Sequence, residues 1–328
     1  MIIGGQNFKF VDTFATPIAI ADSWVMTKNK IGTAKGEAKL YISNRDVMQK
    51  FYGNLGFVAR CFMLKQDIVT YMNVLKNEYQ NPSQEYRGKD EMPTLWDERM
   101  KKIQELPDII EFNVVDQKQI EGKRGYVKSQ DEAYSLIREI ALPLVSYISI
   151  MHLMLGNTDM FYWRLFADYA EIDRRRDYVL KYGKKNEQEE QPKPTKAQEK
   201  KSIEYRYARE GQGKYREAML RECPFCPITM INEESLLIAS HIKPWAVSDE
   251  KEKVDPKNGF ILSPLYDKLF DRGFITFDDT RHVQISNWLP RQDKGRIGIK
   301  DNQLFQFLPI DSHRIKYLEY HRQMVYKG

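Results

Sequence analysis

The run from Lys184 to Ser202, KKNEQEEQPKPTKAQEKKS, contains no large apolar side chain, so no single hydrophobic core can be drawn across it. Charged and amide residues surround Pro192 and Pro194 there, the composition of a solvated linker or a frayed helix extension. A chain of 328 residues is therefore read as two domains, 1–183 and 203–328, joined by residues 184–202. Hydrophobic residues at 42% and aromatics at 12% are enough to fill two ordinary cores, which excludes general disorder and fibrous repeats. Lys and Arg number 51 against 46 Asp and Glu, a net charge of +5 spread over all three segments. Neither domain is a polycation, and charge alone names no partner.

Three cysteines, Cys61, Cys223 and Cys226, are too few for a disulfide framework, so a reducing compartment is expected. The opening MIIGGQNFKF lacks the charged and apolar regions of a secretory signal. The most apolar stretch, Ile140 to Leu155, carries Pro143, Ser146, Ser149 and His152 and is shorter than the roughly 20 residues that span a bilayer. It is read as a buried helix, and the protein as cytoplasmic, with no membrane partner.

The expected class is α+β. Residues 1 to about 44 read as short strands, a small β element. Helices are expected after it, making the first domain mainly α-helical. Ser43 or Asn44 is the cap of the first, Thr94 of LWDERMKKIQEL, and Ser129 of DEAYSLIREIALPLVSYISIMHLML, which Pro143 should kink or break. Thr158 and Asp159 are expected to open a last helix, MFYWRLFADYAEIDRRRDYVLKYG, with an apolar stripe from Phe161 to Tyr178.

The second domain changes character. SLLIASHI and GFILSP are short apolar runs suited to buried strands. LYDKLFDRG reads as a short helix ended by Gly273, and GFITFDDTRHVQIS as a hairpin turning at Asp278-Asp279. On these elements sit polar residues at fixed offsets: His241 near the end of the first strand, Asn258 before the second, Asp267 and Asp271 on the helix. The spacing of four puts both carboxylates on one helix face with Cβ atoms roughly 5–6 Å apart, close enough to address one hard cation.

The runs YREAMLRECPFCPIT, LLIASHIKPW, NGFILSPLYDKLFDRGFITF and YLEYHRQMVY, within about Tyr205 to Tyr326, resemble the HNH endonucleases. These are the ββα-metal nucleases, and the likeness is to the C-terminal HNH domain of bacterial restriction-type endonucleases. The resemblance implies three catalytic residues. His241 is the general base for a water that attacks a phosphodiester, Asn258 ties down the loop that orients it, and Asp267 stands at the helix position of the metal ligand. Imidazole chemistry agrees with the first role, since its pKa near 6.5 suits proton acceptance at neutral pH. An oxygen ligand implies Mg²⁺, with Mn²⁺ or another divalent metal as substitute.

The chain departs from the family at Ser240, where many relatives have a further ligand. Asp271 is either the replacement ligand or a helix-end salt bridge. Lys243, Trp245 and Arg272 are the candidate nucleic-acid contacts; Trp245 reads equally as a loop anchor and Arg272 as an ion-pair partner. Cys223 and Cys226 have zinc-knuckle spacing without a second pair, so they are read as buried thiols rather than a structural Zn²⁺ site. His321 is read as packing a C-terminal helix onto the nuclease core. Arg206, Arg209, Lys214, Arg216 and Arg221 are diluted by glutamates and read as a solvated face.

The implied function is a metal-dependent DNA endonuclease of a restriction or phage-defence system acting on duplex DNA, with a homodimer or two encounters needed to cut both strands. The first domain would select the target or sense a signal. Two alternatives share the scaffold: a catalytically impaired nucleic-acid-binding or sensor protein, and an RNase effector.

Overall fold

The computed structural model describes residues 1–14, 17–33, 38–117, 123–168 and 213–328. The polar run 184–202, the arginines at 174–176, and Arg206 and Arg209 lie outside the described residues. Two compact units are present, one made of Met1–Asp168 with Asn287–Ile297, the other of Tyr169–Ser286 with Gly298–Gly328.

An eight-stranded sheet forms the body of the first unit. Its order is Lys9–Thr13, Ser146–Leu155, Thr158–Ala167, Val58–Leu64, Ile109–Asp116, Arg124–Lys128, Leu40–Asn44, with Ile18–Ala19 also paired to Ser146–Leu155. All pairings are antiparallel except Thr158–Ala167 against Val58–Leu64, where Phe161 stands opposite Cys61. The described α-helices of this unit include Arg45–Tyr52, Lys65–Val74, Met92–Gln104 and Glu132–Ile140. Asn44 caps the first of them, its Oδ1 accepting from the Val47 N–H at 2.9 Å.

The expectation of a mainly α-helical first domain is therefore overturned. Its helix at Ser129 begins at Glu132 after the N-cap Asp131 and ends at Ile140, before Pro143. The remainder of that stretch is the strand Ser146–Leu155, buried on both faces over most of its length. Such a strand shows no alternation, so an apolar run of this kind cannot be told from a buried helix by period alone. Thr158–Ala167 is the second arm of the same hairpin rather than a helix, with Ala167 opposite Ser146. The turn is Gly156-Asn157, and Gly156 has φ +62, the left-handed conformation that tight hairpin turns require.

The second unit is built on two antiparallel strands, Ile238–His241 and Gly259–Leu262, which place His241 opposite Gly259. The helix Pro264–Asp271 packs against the first strand and ends at Arg272, with Gly273 at φ +66 beyond it. The hairpin Ile275–Phe277/Val283–Ile285 follows. Phe260, Phe270 and Phe277 meet at ring separations of 5.7–5.8 Å in the core. The C-terminal helix Ser312–Tyr320 runs into a π-helical turn, His321–Val325. No described helix is long and apolar enough to cross a membrane.

Replacing Gly156 by Val puts a β-branched side chain at a positive φ. It is expected to destabilise the protein by about 1–2 kcal/mol, read as a lower denaturation midpoint in urea at unchanged slope. An unchanged midpoint would mean that the turn does not need this conformation.

Candidate active site

His241 closes its strand half-buried, and its ring is held on three sides. Tyr215, from helical residues 213–222, stacks on it at 4.4 Å with planes 12° apart, and Trp245 meets it edge-on at 5.5 Å. The Nε2 atom lies 3.0 Å from the carbonyl oxygen of Lys253. A carbonyl can only accept, so Nε2 carries the proton and Nδ1 of the neutral ring keeps its lone pair. Burial lowers the pKa of His241, against a smaller opposing effect of the Lys253 carbonyl, so the ring is neutral at pH 7. The arrangement selects the tautomer with a basic Nδ1.

Asn258 is fully buried. Its Oδ1 accepts from the Lys243 N–H at 2.8 Å and its Nδ2 donates to the Glu252 carbonyl at 3.0 Å, closing both ends of the loop between the strands. Further contacts reach the Lys243 carbonyl and Ser248 Oγ. Because Glu252 adjoins Lys253, the same amide that closes the loop fixes the carbonyl that orients His241. Tyr215 Oη in turn donates to the Asn258 carbonyl at 2.9 Å. Gly259 leaves room for this: a Cβ there would come within 2.0 Å of Tyr215 Oη.

The loop also carries Lys243 and Trp245. The Lys243 ammonium is paired with Glu252 at 2.5 Å and lies 5.3 Å from the Tyr320 ring centre, and Lys253 sits 5.3 Å from the Trp245 ring. Structure thus brings together His241, Asn258, Lys243 and Trp245 in one bonded network. Asp267 and Asp271 stand half-buried on the helix that packs against the His241 strand. Asp271 is 3.9 Å from Lys268, and the half-buried Arg272 closes the helix with its backbone N–H on the Lys268 carbonyl. Among the described residues no three His, Cys, Asp or Glu side chains gather as a metal cluster. Ser240 is buried opposite Phe260.

Arg314 supports the site and has no short-range sequence signal. Its side chain is 2% exposed and grips both Glu222 oxygens at 2.8 and 2.9 Å, from Nη1 and Nη2. It also donates to the carbonyls of Gly259 and Pro256 and to Asp311. Hydrogen bonding from Arg314 holds Glu222 down at a pKa of about 2. Lys257 completes the group, 2.8 Å from Glu222 and 2.9 Å from Asp311. Tyr215 and Arg314 are the two residues that sequence reasoning missed; only the position of Tyr215 within YREAML hinted at an inward-facing aromatic.

The remaining candidates have other partners. Cys223 Sγ donates to the Phe225 carbonyl at 3.2 Å, and Cys226 Sγ to Ser263 Oγ at 3.8 Å. Arg216 donates to the carbonyls of Leu237 and Glu234. His321 is fully buried, stacked at 3.9 Å on Phe270, with Nε2 on the Phe270 carbonyl and Nδ1 on Thr276 Oγ1. Both nitrogens are engaged, and burial lowers its pKa to about 3.

Residues 226–278 match the family model of the HNH endonucleases, and the C-terminal part of this chain carries that domain. The matched segment contains His241, Asn258, Asp267 and Asp271. No curated protein matches the chain.

Two outcomes follow from these bonds. Arg314→Met leaves the Gly259 and Pro256 carbonyls without this donor while Lys257 still meets Glu222, and a loss of about 1–3 kcal/mol is expected in chemical denaturation; an unchanged midpoint would show the group to be peripheral. His321 binds a proton near pH 6.5 when unfolded but only near 3 when folded, so the unfolded state holds more protons between those values. Stability should therefore fall as pH drops below 6.5, and His321→Gln should flatten the melting-temperature slope between pH 6.5 and 4.5.

Proposed function

We propose that this domain hydrolyses DNA phosphodiesters, with His241 as general base, in a metal-dependent endonuclease of restriction or defence type. The observation that carries the proposal is the Nε2 contact to the Lys253 carbonyl, which leaves Nδ1 as a neutral, oriented acceptor on a half-buried ring. A water hydrogen-bonded to Nδ1 gives up its proton as its oxygen bonds to phosphorus, and the 3′ oxygen leaves with the bonding electrons. General-base assistance of this kind accounts for about 10²–10⁴-fold in rate.

Asp267, with Asp271 on the same helix face, supplies carboxylate oxygens that suit a hard cation. Two carboxylates do not close a coordination sphere, so substrate phosphate oxygens and water would complete it, as they commonly do for Mg²⁺. A bound divalent cation supplies charge stabilisation to the leaving oxygen. Asn258 holds the loop that fixes His241, and Lys243, Trp245 and Arg272 are the side chains assigned to nucleic-acid contact in this reading. A site of this kind cuts one strand, so duplex cleavage calls for a homodimer or two encounters.

Purified protein with duplex DNA and Mg²⁺ should nick or cut in a reaction abolished by EDTA, and His241→Ala should reduce the rate by at least about 10²-fold. Cleavage that survives this substitution would remove His241 from the role, and cleavage of RNA alone would change the substrate class. Since burial holds the His241 pKa below 6.5, the acid limb of kcat/KM should lie below pH 6.5, with a flat profile through neutrality. A limb centred above 6.5 would assign the base elsewhere.

A further inference from the structure

The first unit contains a pocket of about 580 Å³ that the nuclease chemistry does not use. Its walls come from the 3-10 turn Thr27–Asn29, the helix Met92–Gln104 and the end of the helix Glu132–Ile140. They carry Lys28, Lys30, Arg99 and Arg138 beside Glu98 and Glu139, and Lys28 is paired with Glu91. Glu139 is already engaged by Lys102 at 2.8 Å.

Arg99 is the informative residue. It is 2% exposed, and a charge so deeply buried is ordinarily met by an opposite charge. Here its bonds go to neutral groups, from Nη1 to Tyr79 Oη at 2.7 Å and from Nη2 to Asn29 Oδ1 at 2.8 Å. The Tyr79 ring centre lies 5.4 Å from the guanidinium carbon. The Nε–H has no acceptor among the described residues. The neutral partners are themselves fixed. Asn29 Nδ2 donates to the Glu139 and Ala141 carbonyls at 2.7 Å, and Tyr79 Oη donates to the Ile140 carbonyl at 2.9 Å. A cation is thus held in place by a rigid polar frame that does not neutralise it.

We propose that this pocket binds a small phosphate-bearing molecule, with the Arg99 guanidinium as the principal donor and Lys30 and Arg138 completing the charge. The planar guanidinium matches phosphate oxygens, and an oxyanion would give both its charge and its Nε–H a partner. The volume is that of a small-molecule site, large enough for a mononucleotide. A phosphate on a duplex backbone would not reach a donor so buried, whereas one on a free small molecule enters with it. The inference does not rest on the nuclease reading, since no residue of the candidate active site takes part.

The test is calorimetric titration of the full-length protein with inorganic phosphate and with AMP, beside acetate and chloride at equal ionic strength. Saturable binding of phosphate or AMP is expected, together with a higher melting temperature. Arg138→Gln, whose side chain is only half-buried, should weaken it about tenfold or more, the worth of one charge-assisted hydrogen bond. Arg99→Gln, checked for folding by circular dichroism, should abolish it. The proposal is overturned if neither probe binds above the chloride control, if acetate binds as well as phosphate, or if the affinity is unchanged in Arg138→Gln.

Discussion

Arg314 and the four residues Pro256–Gly259 form the contact on which the second unit depends. The guanidinium takes the carbonyls of Pro256 and Gly259 while Glu222 and Asp311 meet its charge, so a helix before the strands and a helix after them close on one turn. Between those two carbonyls lies Asn258, whose amide closes the loop and whose own carbonyl receives Tyr215 and the Ile242 N–H. The position of His241 is thus set at one remove by an ion pair whose guanidinium is buried and whose carboxylates reach the surface. The cost of desolvating such a pair is repaid only when geometry and surrounding bonds are good, and here nearly every donor of the guanidinium is used.

The parts of this architecture that local chemistry dictates were legible in the sequence. His241, Asn258 and the Asp267/Asp271 pair stand on short elements whose punctuation, such as Gly273 at the end of the helix, is local. The Arg314–Glu222 pair was not legible, because its partners are 92 residues apart and each alone looks like an ordinary surface charge. In the first unit the failure has a different cause. The strand Ser146–Leu155 is buried on both faces, which erases the alternation that betrays a strand, and the apolar residues of Thr158–Ala167 also fit a helical stripe. The Gly156-Asn157 dipeptide between the two runs is a local turn signal of the kind that joins a hairpin.

Two histidines in one unit show how surroundings decide the use of a side chain. His321 has both nitrogens bonded and a ring face covered by Phe270, which leaves nothing for a substrate. His241 spends one nitrogen on a carbonyl and keeps the other. Burial favours the neutral ring in both, so it is the second hydrogen bond, not depth alone, that separates a packing residue from a candidate base.

The edge-on contact between Trp245 and His241, at 5.5 Å, has an optical consequence. An indole beside a neutral imidazole emits normally, whereas an imidazolium at that distance is an efficient quencher. Of the five tryptophans in the chain, Trp245 is the one set against this ring, and its fluorescence should follow the charge of His241. The protein therefore carries within its candidate site a dye that reads the proton on its own base.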